Sequence, residues 1–135
     1  MNKRTLMARI VLETVTFYAA DPKGRRAVEP GSGCCYLTAD GRKCALSRYL
    51  KDSEAVAAKH NEIGAYGLDS AFARAGGLDS LIREGYEGLT IDFWTSLQGI
   101  HDDDSRWTDE GLSEMGMDYV ACILRWIDRG EYDRA

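Results

Sequence analysis

TDEGLSEMGMDYVACILRWIDR, residues 108–129, carries the strongest periodicity in the chain. Leu112, Met115, Tyr119, Ile123 and Trp126 recur at steps of three and four, the spacing that lines one face of an α-helix. Thr108 stands where an N-cap belongs, and Asp109 and Glu110 fall in the first turn, where the helix dipole favours anions. Arg125 and Arg129 complement the other end. The pattern predicts a helix over 109–128 with those five apolar residues largely buried. Cys122 reads as a small residue on its apolar face.

Outward from that helix, most of the chain also reads as helical. Thr90 opens a segment over 90–101 in which Ile91, Trp94, Leu97, Ile100 and His101 lie near one face. The polar run Asp102-Asp103-Asp104-Ser105-Arg106 separates it from the last helix. Residues 4–19 repeat Leu6, Ile10, Val11, Val15 and Tyr18 at helical spacing, and Asp21-Pro22 and Gly24 stop them. Asp52-Ser53 caps a segment over 53–63, which Gly64 and Gly67 break. Asp69-Ser70 precede a short helix that Gly76-Gly77 end, and 78–84 supply another turn or two. Residues 20–33 read as a loop carrying Lys23, Arg25 and Arg26. The β signal lies at 34–46, where Asp40-Gly41 suits a tight hairpin turn between Cys34–Thr38 and Arg42–Leu46. A lone hairpin is marginal in water, so helices must cover one of its faces. The expected architecture is α+β: a mostly helical single domain over 1–135 with one short β-hairpin.

A chain of 135 residues with 44% hydrophobic and 29% charged residues is globular in composition and long enough for one core. No run of 18 apolar residues is present, so no membrane-spanning helix is expected. Arg9 and Glu13 interrupt the apolar residues near the start, so no signal peptide is expected. Cys34, Cys35, Cys44 and Cys122 form no C-x-x-C pair, which points to free thiols in a reducing cytoplasm. The net charge of -5 is unevenly placed. Residues 1–51 carry ten Lys/Arg against four Asp/Glu, and residues 52–135 carry seven against eighteen. The two parts can attract each other within one fold, or the acidic part can meet a basic partner. Direct nucleic-acid binding is not expected from an acidic surface.

Glycine-rich phosphate loops, H-E-x-x-H and G-x-S-x-G are absent, and only His60 and His101 are available as imidazoles. His60, near a helix end, favours the dipole. His101 is followed by Asp102, so a thiolate of Cys34 or Cys44 (or of Cys35) nearby would complete a nucleophile, base and orienter. Cys34, Cys44 and His101 also offer zinc-ligand chemistry, but a nine-residue gap across a hairpin is not a zinc-finger spacing. Asp102-Asp103-Asp104 starts like a calcium loop and then fails it at Arg106 and Ser113. No metal and no cofactor are expected. Arg25, Arg26, Arg42 and Lys43 are candidates for binding a small anion or nucleotide.

Cys34-x-Tyr36, Asp40-Gly41-Arg42-Lys43-Cys44-Ala45 and Leu97-Gln98-x-x-His101-Asp102 together resemble a group of small phage and bacterial proteins. Its members share a C-x-Y…G-x-K-C-A-x-G hairpin and an LQ-x-x-HD helix end. This chain has Ser47 where that pattern has glycine. The group has no established activity, so the resemblance implies a phage or mobile-element setting and assigns no reaction.

These observations favour a non-catalytic protein that occupies a host protein in the host cytoplasm. A defence nuclease is one such target, as for anti-CRISPR proteins. Asp102, Asp103, Asp104, Asp109 and Glu110 are the expected contacts to a basic groove, and neutralising Asp102, Asp103 and Asp104 together is expected to slow association without unfolding. The alternatives are a small enzyme built on Cys34 or Cys44 with His101 and Asp102, and the anion-binding module.

Overall fold

The computed structural model of the chain describes residues 2–29 and 33–133, with the side chains of Gly33 and Cys34 outside that description. Helix α1 (Lys3–Ala19) starts where Asn2 accepts a hydrogen bond from the Thr5 N–H at 2.8 Å. Met7, Ile10, Val11, Thr14 and Tyr18 form its buried stripe, with Leu6 and Val15 half-buried on its flanks. Asp21 caps the short α2 (Pro22–Arg25), in which Pro22 occupies the first turn without leaving a donor unpaired.

Residues 20–33 were expected to be a loop, yet they supply α2 and a strand. β1 (Val28–Glu29) pairs antiparallel with β2 (Gly33–Cys34). The expected hairpin over 34–46 is reduced to a loop with one bridge, Leu37 to Lys43. Gly41 takes a positive φ of 89° and donates to Thr38 O at 3.0 Å, while Thr38 donates to Arg42 O at 2.9 Å. Only Gly41 needs the left-handed region, so this is a three-residue loop and not the two-residue turn that Asp-Gly suggested.

Asp52 caps α3 (Ser53–His60) through the Ala55 N–H, three residues shorter than expected. α4 (Ala65–Ala71) follows, then 3-10 turns at Ala73–Ala75 and Leu78–Leu81. Thr90 caps α5 (Ile91–Asp102), which buries Phe93, Trp94, Leu97, Ile100 and His101. Trp94, Leu97, Ile100 and His101 are as the spacing predicts, whereas Ile91 is half-buried and Phe93 takes an inward place that the spacing did not assign it. A 3-10 turn at Asp104–Arg106 leads into a second two-stranded ribbon, β3 (Trp107–Thr108) paired with β4 (Gly111–Leu112).

The last helix, α6 (Glu114–Asp128), begins five residues later than the sequence suggests. Thr108, Asp109 and Glu110 belong to the β3–β4 turn, and Ser113 is the cap, accepting from the Gly116 N–H at 3.1 Å. Its buried face is Gly116, Val120, Ile123 and Ile127. Of the five residues expected inside, Ile123 is fully buried, Leu112 and Tyr119 are half-buried, and Met115 and Trp126 are 61% and 36% exposed. Cys122 is half-buried. The helix carries two apolar stripes about 100° apart, and the smaller residues face the core. Gly116 explains the choice: a Cβ there would lie 2.1 Å from Arg106 O. That carbonyl also accepts from the Ser113 N–H, so the turn before α6 and the helix itself touch at this glycine.

Residues from α1, α3, α4, α5, α6 and the Tyr36–Leu50 segment form one continuous apolar cluster. The architecture is therefore mostly helical α+β. No helix among the described residues is long and apolar enough to cross a membrane.

The α6 register makes a prediction that opposes helix propensity. Ile123→Ala should cost about 2–5 kcal/mol, as for other emptied core sites, while Met115→Ala should stay within about 0.5 kcal/mol. Gly116→Ala should destabilise although alanine is the better helix former by about 1 kcal/mol. Urea unfolding of the three variants checks this, and a stabilised Gly116→Ala protein overturns the register.

Candidate functional site

Among the residues singled out by the sequence, Arg26, His101, Asp102 and Asp104 meet at the C-terminal end of α5. A helix leaves its last carbonyls without intrahelical partners. Here three successive ones are taken by side chains. Arg106 Nη1 donates to Gly99 O, Trp107 Nε1 donates to Ile100 O at 2.7 Å, and Arg26 Nε and Nη2 donate to His101 O at 2.9 and 2.7 Å. Arg26 Nη1 also lies 2.9 Å from Asp104 Oδ1. Its guanidinium is therefore fully engaged, and cations suit the negative end of a helix.

His101 is completely buried beneath the edge of the Tyr18 ring, with the ring centroids 5.0 Å apart. The Ala27 N–H donates to Nε2 at 2.9 Å, so that nitrogen carries a lone pair. Nδ1 lies 2.7 Å from Asp102 Oδ1 and is the protonated one. Burial lowers the pKa below the ordinary histidine value against the opposing pull of Asp102. The imidazole is a neutral connector between α5 and the segment before β1, with both nitrogens bonded.

Cys44 is equally buried, accepts from the Ser47 N–H at 3.3 Å, and has its thiol pKa pushed up to about 12 by burial. A nucleophile needs the thiolate. The proposed Cys44–His101–Asp102 arrangement therefore has a protonated thiol and an imidazole with no nitrogen free to take its proton. Cys35 is buried too, its pKa raised by the same desolvation. The Cys34 side chain falls outside the described residues. Among the described residues, no three His, Cys, Asp or Glu side chains come together as metal ligands.

The other motif residues serve packing in the same region. Gln98 Oε1 accepts from the Leu46 N–H at 2.9 Å, and Tyr36 O accepts from the Cys44 N–H at 3.2 Å. The candidate anion cations are used as well. Arg42 Nη1 donates to Arg26 O at 2.7 Å and its Nε lies 3.0 Å from Asp40. Arg25 donates to Phe17 O at 2.9 Å and lies over that ring. Lys43 is exposed. His60, at the end of α3, packs edge-on against Phe72.

The acidic run is partly structural, a correction to its reading as a separable loop. Asp102 orients His101, and Asp104 pairs with the buried Arg26. Asp103 caps the following 3-10 turn, accepting from the Ser105 N–H and Oγ, which hold its carboxyl below the usual range. Asp109 lies 3.2 Å from Lys23 in a pair exposed on both sides, which adds little stability. Glu110 is exposed. Removing all three of Asp102, Asp103 and Asp104 therefore disturbs the fold as well as the surface charge. A separate cleft of about 730 Å³, lined by Lys3, Arg4, Met7, Thr90, Tyr132 and Asp133 among others, contains none of the residues expected from the sequence.

In comparison with known proteins, no family model, no curated sequence and no solved structure matches the chain.

The neutral, buried His101 links stability to pH. Below its ordinary value near 6.5 the unfolded chain takes up a proton that the fold excludes. Stability is thus complete above that pH and falls as the pH drops, by at most about 1.4 kcal/mol per unit. Unfolding measured between neutral and mildly acidic pH should show this slope, and His101→Gln should flatten it. Equal slopes in the two proteins would mean that the imidazole is not held neutral. Arg26→Lys, which cannot bond His101 O through two nitrogens, should lose about 1–3 kcal/mol at neutral pH.

Proposed function

We propose that this protein is a non-catalytic binding protein that meets a basic groove of a host protein with the acidic edge running from Asp102 to Glu110. One observation carries the reading: exposed carboxylates are presented on a backbone that is itself pinned. Asp104 and Asp109 are 80% and 73% exposed at the side chain, and Glu110 is exposed beside them. The Arg106 N–H bonds Asp103 O at 3.0 Å, Arg106 O takes the Ser113 N–H at 2.9 Å, and the β3–β4 ribbon closes the segment. Charges on a fixed frame lose little conformational entropy on docking. Two of the groups that could have supported chemistry touch that frame instead: His101 bonds Asp102, and Arg26 pairs with Asp104.

The resemblance carried by Cys34-x-Tyr36, Asp40 to Ala45 and Leu97 to Asp102 supports a phage or mobile-element setting, with action in the host cytoplasm. A nuclease of a defence system, whose nucleic-acid groove is basic, is the class of target that an acidic edge suits.

The test uses the two carboxylates with no structural role beyond a surface pair. Asp109→Asn combined with Glu110→Gln should leave the melting temperature nearly unchanged. It should slow association with the host protein retained from bacterial lysate and weaken the salt dependence of binding, since such charges act mainly on the association rate. Retention that is the same for both proteins, and the same at low and high salt, overturns the acidic edge as the contact.

A further inference from the structure

We propose that the outer face of α6 is a self-association surface whose occupant is the same face of a second copy of this chain, packed antiparallel about a two-fold axis at Cys122. Met115, Tyr119, Cys122 and Trp126 follow at steps of four, three and four, a second complete apolar stripe beside the one that builds the core. Met115 is 61% exposed, Trp126 is 36% exposed, and Tyr119 and Cys122 are half-buried. The two rings are already held in place. Arg106 lies 3.7 Å over the Tyr119 ring, and Trp126 rests edge-on against Tyr132 with centroids 6.3 Å apart. A surface ordered before docking costs less to bury.

The charges beside the stripe select the partner. Glu114 and Asp118 stand in its first half, Arg125 and Arg129 in its second. All four are exposed, and none makes an ion pair with another described residue. In a two-fold antiparallel pair, residues equally spaced on either side of the axis face one another. With Cys122 on the axis, Asp118 faces Trp126 of the other copy and is one position from Arg125, while Met115 faces the Arg129 stem and Glu114 is one position from Arg129. Each contact occurs twice. A parallel pair would instead set this charged flank against the Met115, Tyr119 and Trp126 flank of the other copy, where no opposite charges meet. The face is thus complementary to itself in one orientation only.

The test is sedimentation of the full chain over micromolar to millimolar concentrations. A reversible shift towards twice the 15.0 kDa of the single chain is expected. Trp126→Asp should raise the dissociation constant about tenfold or more, the loss expected of a central aromatic anchor, with an unchanged circular dichroism spectrum. Asp118→Arg should weaken the pair, and Asp118→Arg together with Arg125→Asp should recover it. A short bismaleimide should join two chains through Cys122, and Cys122→Ser should abolish that product. A single-chain mass at every concentration, or a dimer that Trp126→Asp leaves intact, overturns the proposal. A charge reversal that the second substitution fails to recover overturns the antiparallel arrangement.

Discussion

The end of α5 is the constraint on which the rest depends. Gly99 O, Ile100 O and His101 O point out of the helix with no intrahelical acceptor role left, and each is claimed by a side chain from elsewhere. Hydrogen bonds from charged donors are worth about 1.5–3 kcal/mol each. Arg26 lies 75 positions before His101, so a single guanidinium fastens the segment after α1 to the far end of α5. Arg106 and Trp107 come from the chain that immediately leaves α5. Their bonds turn that chain back, so that Arg106 O reaches Gly116 and sets the start of α6. The helix end, the acidic turn and the last helix are consecutive consequences of one capping arrangement.

The sequence was most legible where periodicity and size agreed. α5 buries Trp94, Leu97 and Ile100 as its spacing predicts, because they are both large and inward, with Phe93 added beside them. In α6 these criteria separate. Met115 and Trp126 are large but face outward, and the inward positions include a glycine. Period alone cannot choose between two stripes, since either satisfies the three-and-four spacing. The decisive fact, the approach of Arg106 O to Gly116, belongs to tertiary structure. The same holds for the start of the helix. Thr108 followed by Asp109 and Glu110 has cap composition, but a ribbon took those residues and left the role to Ser113.

The site was legible as a set of residues and not as a function. His101 contacts Asp102 and Arg26, and Arg42 bonds Arg26 O, contacts of Arg26 that the sequence did not predict. Whether an imidazole is a base or a strut depends on what its second nitrogen touches, and the Ala27 N–H arrives from 74 positions away. The charge division between the two parts of the chain was easier to interpret. Arg4–Asp133, Lys23–Asp109 and Arg26–Asp104 all join a cation of the first third to an acid of the last. The basic and acidic parts of the chain are thus joined by three pairs, two of them exposed at both partners. Exposed carboxylates are spread along the second part of the chain from Asp52 to Asp133, and Asp104, Asp109 and Glu110 are those that lie between α5 and α6.

The position of the acidic turn relative to α6 connects the two proposals without making either depend on the other. The turn ends at Ser113, directly before the helix begins. An antiparallel α6 pair places the two helix starts at opposite ends of the contact, separated along the axis by the length of a 15-residue helix, about 22 Å at 1.5 Å per residue. Two acidic turns then face the same solvent at a fixed spacing. A partner with two basic sites at that separation, or a groove that long, would be engaged twice, and the second contact would form at the high effective concentration set by the rigid pair. A single chain offers one such turn and gains nothing from a second site. The apolar stripe that the core leaves outside is therefore the feature that would turn a weak, salt-sensitive contact into a strong one.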